Sequence, residues 1–331
     1  MASLRLARSR GGQRLAGLAM CLVVTLPALA LDSLVSAEQA LRRMRVAATS
    51  LNYRGTATYE QAGALTTLQV THAVDAAGRR ERLEYLDGPS GEVVNVRGSP
   101  GCARASGVDL GASVDVGMVV KHYRAAFLDD GRIAGRPVTR FRLQPRDDYR
   151  YGHLLSIDRE TGLLLQALTL DQQGQLVDRF QFSEIAIGMT IDAADLESRL
   201  DSQRVLGSSD CDPVPSSGDV ADREWVASWV PPGFVPFEVA PRETGGQEMH
   251  YTDGFNSVSI FVEPETDGGP MLEARHGPTM AYIRRHQGRE GSYRICVVGE
   301  VPMPTARRIA AGVEFDPGNY PAAEAAERAE R

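Results

Sequence analysis

Apolar and polar residues alternate in short runs between residues 133 and 187, and this pattern predicts β-strands. Four apolar runs cover residues 137–143, 149–157, 163–170 and 176–187. The separators PRDD, DRETG and DQQG carry Asp or Gly, which tolerate the tight backbone of hairpin turns. Short strands at this spacing favour an antiparallel meander over a parallel α/β sheet. Such a sheet has one face for a core or a ligand and one for water.

The last of these runs changes its apolar face part-way along. Phe180 and Phe182 share one face, whereas beyond Ser183 and Glu184 the apolar positions are Ile185 and Ile187. A strand keeps its faces at every second residue, so a change of parity indicates one inserted residue. The sequence therefore predicts a β-bulge at residues 183–184.

Upstream of the meander the pattern predicts an amphipathic helix at residues 33–49 and four further strands. The strands cover residues 52–59, 65–74, 79–86 and 92–97. Residues 97–130 are irregular, and their last part, VVKHYRAAFL, is typical of a short helix. About eight strands and one helix are expected to form a curved antiparallel sheet that wraps the helix and leaves an apolar hollow between them.

Alternating positions on this sheet are the candidates for lining the hollow. Parity alone does not say which face is inward, and a filled core without a ligand is the alternative for each position. The candidate residues are Leu68, Val70, Leu83, Tyr85, Phe141, Leu143, Leu163, Leu165, Phe180 and Phe182.

A second unit follows the linker-like stretch GSSDCDPVPSSGD. Strands are predicted at residues 248–251, 257–263 and 293–298, and a helix at residues 305–313. We therefore divide the chain into a signal peptide (1–30), a first domain (31–206), a linker (207–222), a small second domain (223–313) and a frayed tail (314–331).

The first thirty residues have the pattern of an export signal. Four arginines precede an apolar segment at residues 15–26, and Ala28-Leu29-Ala30 fits a small-residue cleavage site. Cleavage there changes the formal net charge from −7 to −11, because the leader holds four arginines and no acidic residue. This acidic balance argues against nucleic acid as the main partner. Three cysteines remain, and a disulfide between Cys102 and Cys211 is possible, whereas Cys296 is expected to be a small core residue of an apolar strand.

No arrangement of residues predicts catalysis, a cofactor or a metal. Asp129-Asp130 and Asp147-Asp148 are adjacent pairs that fit turns better than a shared site. His276 and His286 lack any zinc-ligand spacing, and the chain has no GxSxG elbow, GxGxxG turn or Walker loop. The two tryptophans, Trp225 and Trp229, precede Phe234, and these three aromatic residues are the candidates for partner binding. On a helical turn the two tryptophans would share a face and anchor a partner, or they form the core of the second domain.

Several long elements in the same order resemble the MucB/RseB family. They are the meander from GRPV to FSEI, the WVASWVPPGF element, YTDGFNSVSIFVE and the stretch VVGEVPMPTARRIA. The resemblance runs from about residue 31 to residue 313. It implies an α+β fold, with an N-terminal half-barrel sheet around helices like the carriers LolA and LolB, and a smaller α/β C-terminal domain.

The resemblance also implies a function in the periplasm. Members of this family are negative regulators of the sigma-E envelope-stress response. They bind the periplasmic part of a membrane anti-sigma factor (RseA or MucA) and shield it from a DegS-type protease, until a lipid or lipopolysaccharide-type ligand releases it. The alternative is a LolA-like carrier of lipids or lipoproteins. The sequence leaves the oligomeric state open, a homo-oligomer included.

Overall fold

The computed structural model describes residues 28–75, 78–87, 92–96, 111–112, 114–197, 225–242, 246–265, 271–288 and 291–316. Most of the predicted leader, the linker, Cys102, Cys211 and the tail beyond residue 316 lie outside these ranges. No helix within them is both long and apolar enough to cross a bilayer. Cys296 is a free thiol and lies in a strand as predicted, but it is half-buried and not part of the core.

In its described residues, the first domain has two helices, ten strands and one 3-10 turn. Its elements are α1 (Ala28–Ser50), β1 (Tyr53–Gln61), β2 (Ala64–Asp75), β3 (Gly78–Tyr85), β4 (Glu92–Val96), α2 (Val116–His122), β5 (Tyr123–Phe127), β6 (Gly131–Ile133), β7 (Arg136–Pro145), β8 (Gly152–Asp158), β9 (Leu164–Leu170), β10 (Leu176–Ile187) and the 3-10 helix Ala193–Leu196. The predicted α1 and the four strands β1–β4 are confirmed.

The ten strands form one antiparallel sheet in the order β4-β3-β2-β1-β10-β9-β8-β7-β5, with β6 paired to β7. The meander β7–β10 is confirmed, and the sheet is open. Its buried face packs on α1, whose Leu41 and Met44 have no exposed surface. The core forms two clusters, which we call the central cluster (around Phe182 and Leu165) and the end cluster (around Phe141 and α2).

The predicted β-bulge is confirmed. Thr56 of β1 lies opposite Glu184 and Ala57 lies opposite Phe182, so Ser183 is the inserted residue. The hydroxyl of Ser183 donates a hydrogen bond to the carbonyl oxygen of Thr56 at 3.1 Å. The insertion keeps Ile185 and Ile187 packed against the central cluster beyond the point where parity changes.

Three local predictions were wrong. The stretch 119–128 is a helix only as far as His122, because Tyr123, Ala125 and Phe127 alternate and pair with β7 as strand β5. Strand β8 begins at Gly152 and not at residue 149, because the side chains before it contact the second domain. Trp225 lies in a strand and not on a helical turn.

Over the part that the structure describes, the second domain has a six-stranded antiparallel sheet, a two-stranded sheet and one helix. Its elements are β11 (Trp225–Ala227), β12 (Val235–Pro241), β13 (Gln247–Thr252), β14 (Ser257–Pro264), β15 (Leu272–His276), β16 (Thr279–Gln287), β17 (Ser292–Gly299), α3 (Met303–Ala311) and β18 (Val313–Phe315). The order is β12-β13-β14-β17-β16-β15, and β11 pairs with β18. Helix α3 packs on one face of the larger sheet, which gives the α+β class predicted for the chain.

Candidate ligand and partner sites

Nine of the ten candidate lining residues lie in the core of the first domain. Leu68, Val70, Leu83, Leu163, Leu165, Phe180 and Phe182 belong to the central cluster. Phe141 and Leu143 belong to the end cluster, together with Leu41 and Met44 of α1. Tyr85 is in neither cluster, and 39% of its surface is exposed. All candidates but Tyr85 therefore lie on the buried face of the sheet, and their role in binding a ligand stays a prediction.

These nine side chains fill the inner face and leave no room for a ligand among themselves. None of them has more than 6% of its surface exposed, and six have 1% or less. A side chain beside an empty volume large enough for water would show exposed surface towards it. The inner face is therefore a close-packed core in this structure. A ligand that binds here has to displace protein groups.

A separate pocket of about 210 Å³ lies at the junction of the two domains. Its lining is partly charged and includes none of the ten candidates; it consists of Glu60, Ala62, Gly63, Leu176, Val177, Asp178, Arg275 and Gly277. Burial raises the pKa of Asp178, which accepts a hydrogen bond from the hydroxyl of Tyr59 at 3.2 Å. This polar lining does not suit an acyl chain. Within the described ranges, no three His, Cys, Asp or Glu side chains lie close enough to share a metal ion.

The three candidate partner-binding residues do not form one exposed surface. Trp225 is 1% exposed and lies in the core of the second domain, with ring centroids 4.8 Å from Tyr293 and 5.5 Å from Phe315. Phe234 is 5% exposed in the same core. Trp229 lies at the domain junction, where the guanidinium of Arg308 stands 3.9 Å from its ring centroid.

The turn between β7 and β8 contacts the second domain through several side chains. Arg150 in this turn is fully buried and donates hydrogen bonds to Asp253 at 2.8 Å and to the carbonyl oxygen of Pro232 at 2.5 Å. Beside it, the hydroxyl of Tyr149 accepts a hydrogen bond from Arg308 at 2.8 Å. The hydroxyl of Tyr151 donates to the carbonyl oxygen of Val301. Side chains of this turn thus contact both loops and helix α3 of the second domain.

The tip of the β13–β14 hairpin completes the junction from the other side. The side-chain amide of Asn256 donates to the hydroxyl of Tyr123 at 2.7 Å. The backbone N–H of Asp115, the N-cap of α2, donates to the carbonyl oxygen of Gly254 at 2.8 Å. The ring of Phe255 lies 4.2 Å from that of His153 and packs on the end cluster. Gly254 has a φ of +86°, and a Cβ there would stand 2.9 Å from Asp115, so both turn and contact require glycine.

Two histidines at this junction are held neutral. Burial lowers the pKa of His153 to about 4, although Asp253 and Asn256 act in the opposite direction. Burial, and then the charge of Arg150, lower the pKa of His122. A charged imidazole is therefore disfavoured on the first domain's side of the junction.

The alternation of apolar residues assigns the segment RDDYRYG to a turn and a strand and does not reveal this junction. The available signal was its composition. A hairpin turn needs only Asp, Gly or Asn, whereas this segment also carries Arg150 and two tyrosines. Large amphipathic side chains in a turn indicate a contact with another surface.

Both domains match models of one protein family. The model of the MucB/RseB N-terminal domain matches residues 36–200, and that of the MucB/RseB C-terminal domain matches residues 219–314. The regulatory protein MucB of the sigma factor AlgU from Pseudomonas aeruginosa is 33% identical over 82% of this chain and 89% of its own length. The chain belongs to the MucB/RseB family.

Other MucB/RseB proteins share the similarity over nearly their whole length. The sigma-E factor regulatory protein RseB of Haemophilus influenzae is 27% identical over 90% of this chain and 97% of its own. A crystal structure of MucB in complex with MucA(peri) matches with a TM-score of 0.68 and 32% identity, covering 85% of this chain and 99% of that one. A structure of the Pseudomonas aeruginosa MucA/MucB complex gives a TM-score of 0.69 and 30% identity with the same coverage. The match thus includes both domains of a MucB chain in complex with MucA.

Proposed function

We propose that this chain is a periplasmic negative regulator of a sigma-E-type stress response, and that it binds the periplasmic part of a membrane anti-sigma factor of the RseA/MucA kind. The observation that carries this proposal is the similarity to MucB in complex with MucA(peri), which covers 99% of that MucB chain. Binding would shield the anti-sigma factor from proteolysis. The export signal that the sequence predicts at residues 1–30 supports this proposal, because cleavage before Leu31 would leave the mature chain in the same compartment as this partner.

We further propose that a lipid-type envelope signal releases the partner. The inner face of the first domain is largely apolar, its buried histidines His72 and His153 are held neutral, and α1 closes it, which suits an acyl chain. Because that face is filled in this structure, the lipid would bind a second, more open conformation. A ligand that prefers a conformation with low partner affinity shifts the population away from the complex.

Calorimetry with the mature chain and the periplasmic segment of its own organism's anti-sigma factor tests the first part. We expect micromolar or tighter binding, roughly −8 kcal/mol or better. The second part is tested by repeating the titration at increasing lipid concentration, where the apparent affinity should fall. A folded protein that shows no heat of binding would contradict the regulator function, and an affinity that is constant across the lipid series would contradict the release step alone.

A lipid or lipoprotein carrier is the alternative function, and the domain junction argues against it. A carrier built on the first domain has no need of a second domain held by a buried ion pair between Arg150 and Asp253. Transfer of a lipoprotein between two membranes by the purified chain would support this alternative.

A further inference from the structure

The side chain of Phe255 closes one end of the first domain's core although it belongs to the second domain. It extends from the tip of the β13–β14 hairpin, and its ring centroid lies 4.2 Å from that of His153 and 6.4 Å from that of Tyr123. It packs on the end cluster, against elements that include α1 and α2. We call the surface formed by Tyr123, His153 and the adjoining end cluster the Phe255 socket.

The Phe255 socket is continuous with the face proposed to bind lipid. The end cluster that it adjoins contains Phe141 and Leu143, two of the candidate lining residues, and Leu41 and Met44 of α1. The socket is also neutral. The imidazole of His153 lies between the rings of Tyr123 and Phe255, and its burial disfavours the charged form, so the socket offers aromatic and apolar surface and no charged side chain of its own.

We propose that Phe255 and an acyl chain compete for this socket, so that a bound lipid undocks the second domain from the first. This inference rests on the lipid-release step proposed above and gives it a structural basis. Because the inner face is close-packed, an acyl chain has to displace some group on entry. Leu41 and Met44 are fully buried on a helix of the same domain, whereas Phe255 is half-buried and held by a hairpin of the other domain. Phe255 is therefore the group that is displaced with the fewest broken contacts inside the first domain.

Displacement of Phe255 would be transmitted directly to the rest of the junction. Asp253, two residues earlier in the same tip, is the carboxylate of the ion pair with Arg150, and its Oδ1 accepts the backbone N–H of Phe255 at 2.9 Å. Gly254, between them, accepts the backbone N–H of Asp115. The hairpin tip, residues 253–256, makes all of these contacts, so we expect its four residues to move together. An acyl chain in the socket and a docked second domain thus exclude each other.

The test is the affinity of the full mature chain for cis-parinaric acid, a fluorescent fatty acid, in the variants Phe255→Ala and Phe255→Trp. Without the competing ring we expect Phe255→Ala to bind this probe about fivefold or more tightly than the wild type. The larger ring of Phe255→Trp should bind it no better than the wild type. Phe237→Ala is the matched control, because Phe237 is an exposed aromatic on β12 of the same domain, beside His250 and away from the junction. Its affinity should equal that of the wild type.

Hydrogen exchange supplies the second readout, since it reports undocking and not only binding. The amide of Asp115 is protected by Gly254 across the junction, so its exchange should accelerate when the fatty acid saturates the wild type, and in Phe255→Ala without any ligand. Equal affinities of the wild type and Phe255→Ala would overturn the competition while leaving lipid binding intact. No binding of the probe by any of the four proteins would overturn the competition and the lipid-release step together, and calorimetry with the anti-sigma segment would still decide partner binding.

Discussion

Arg150 of the first domain and Asp253 of the second form an ion pair in which neither side chain has any exposed surface. The donor and acceptor atoms are 2.8 Å apart. Asp253 also accepts hydrogen bonds from the backbone N–H groups of Phe255 and Asn256, so its charge is compensated on several sides. A buried pair of this kind adds little to the free energy of unfolding by itself. Removal of either charge, however, leaves the other one buried without a partner, which is strongly destabilising. The junction is therefore specific for one relative placement of the two domains.

Removal of one charge of this pair should lower the free energy of unfolding more than removal of both charges. Arg150→Met leaves the Asp253 carboxylate buried without its guanidinium, and we expect it to lower the free energy of unfolding by about 3–5 kcal/mol. Adding Asp253→Asn removes the remaining charge and keeps an oxygen that accepts from the hairpin backbone, so the double variant should recover part of this loss. Urea unfolding of the three proteins measures both differences.

The exposed ion pair between Arg159 and Asp130 is the control for these variants. Its side chains are 54% and 60% exposed, so Asp130→Ala should change stability by less than about 1 kcal/mol. A double variant no more stable than Arg150→Met would show that lost packing, and not the unpaired carboxylate, causes the loss.

Acidification should destabilise the protein through His153. Its folded-state pKa is about 4, below the ordinary value of 6.5, because burial disfavours the imidazolium. The unfolded state therefore binds more protons below pH 6.5. Stability is fully present above that pH and is lost as the pH falls towards 4, by up to about 3 kcal/mol at about 1.4 kcal/mol per pKa unit. The groups that face the imidazole are Asp253 and Asn256, with the rings of Tyr123 and Phe255.

The variant His153→Phe isolates this contribution, because it keeps a ring and removes the titration. Urea unfolding at pH 7.5, 6 and 4.5 should show a smaller loss of stability on acidification than in the wild type. His276→Gln, at the exposed end of β15, should retain the wild-type pH dependence. The same slope in His153→Phe as in the wild type would mean that other groups, such as His72, whose pKa is also about 4, account for acid sensitivity.

The parts of the fold that the sequence predicts are those that follow from local periodicity. Alternation along β2 and β10 predicts which residues share a face, and the change of parity in β10 predicts its bulge, whereas the packing on α1 decides which face is inward. The β7–β8 turn and Phe255 were missed because their contacts join residues about a hundred positions apart, which no local pattern encodes. Likewise, the local sequence at residues 119–128 predicts a helix, whereas pairing with β7 makes residues 123–127 the strand β5.

Deletion of Ser183 should be more harmful than any substitution at this position. Without the inserted residue, Ile185 and Ile187 would turn to the opposite face of β10 and leave the central cluster. We expect the deletion to lower the free energy of unfolding by about 2 kcal/mol or more. Ser183→Ala keeps the register and loses only the hydrogen bond to Thr56, so it should cost about 1 kcal/mol or less. Equal stabilities of the two variants would show that the bulge does not determine the register.

Substitution of Trp225 should lower the free energy of unfolding much more than substitution of Trp229. Trp225 is buried among aromatic rings, so Trp225→Ala should lower the free energy of unfolding by about 3–5 kcal/mol. Trp229 is half-buried beside Arg308 and Tyr149, and Trp229→Ala should cost only about 1 kcal/mol, the scale of a cation–π contact.

Only Trp229 is therefore placed to act as the proposed partner anchor without unfolding the domain. We expect Trp229→Ala to weaken binding of the anti-sigma segment about tenfold in calorimetry, as loss of an aromatic anchor does. Trp229→Phe, which keeps an aromatic face for Arg308, should retain most of the affinity. An unchanged affinity of Trp229→Ala, with an unchanged unfolding midpoint, would exclude Trp229 from the partner interface and restrict its role to the contact with Arg308.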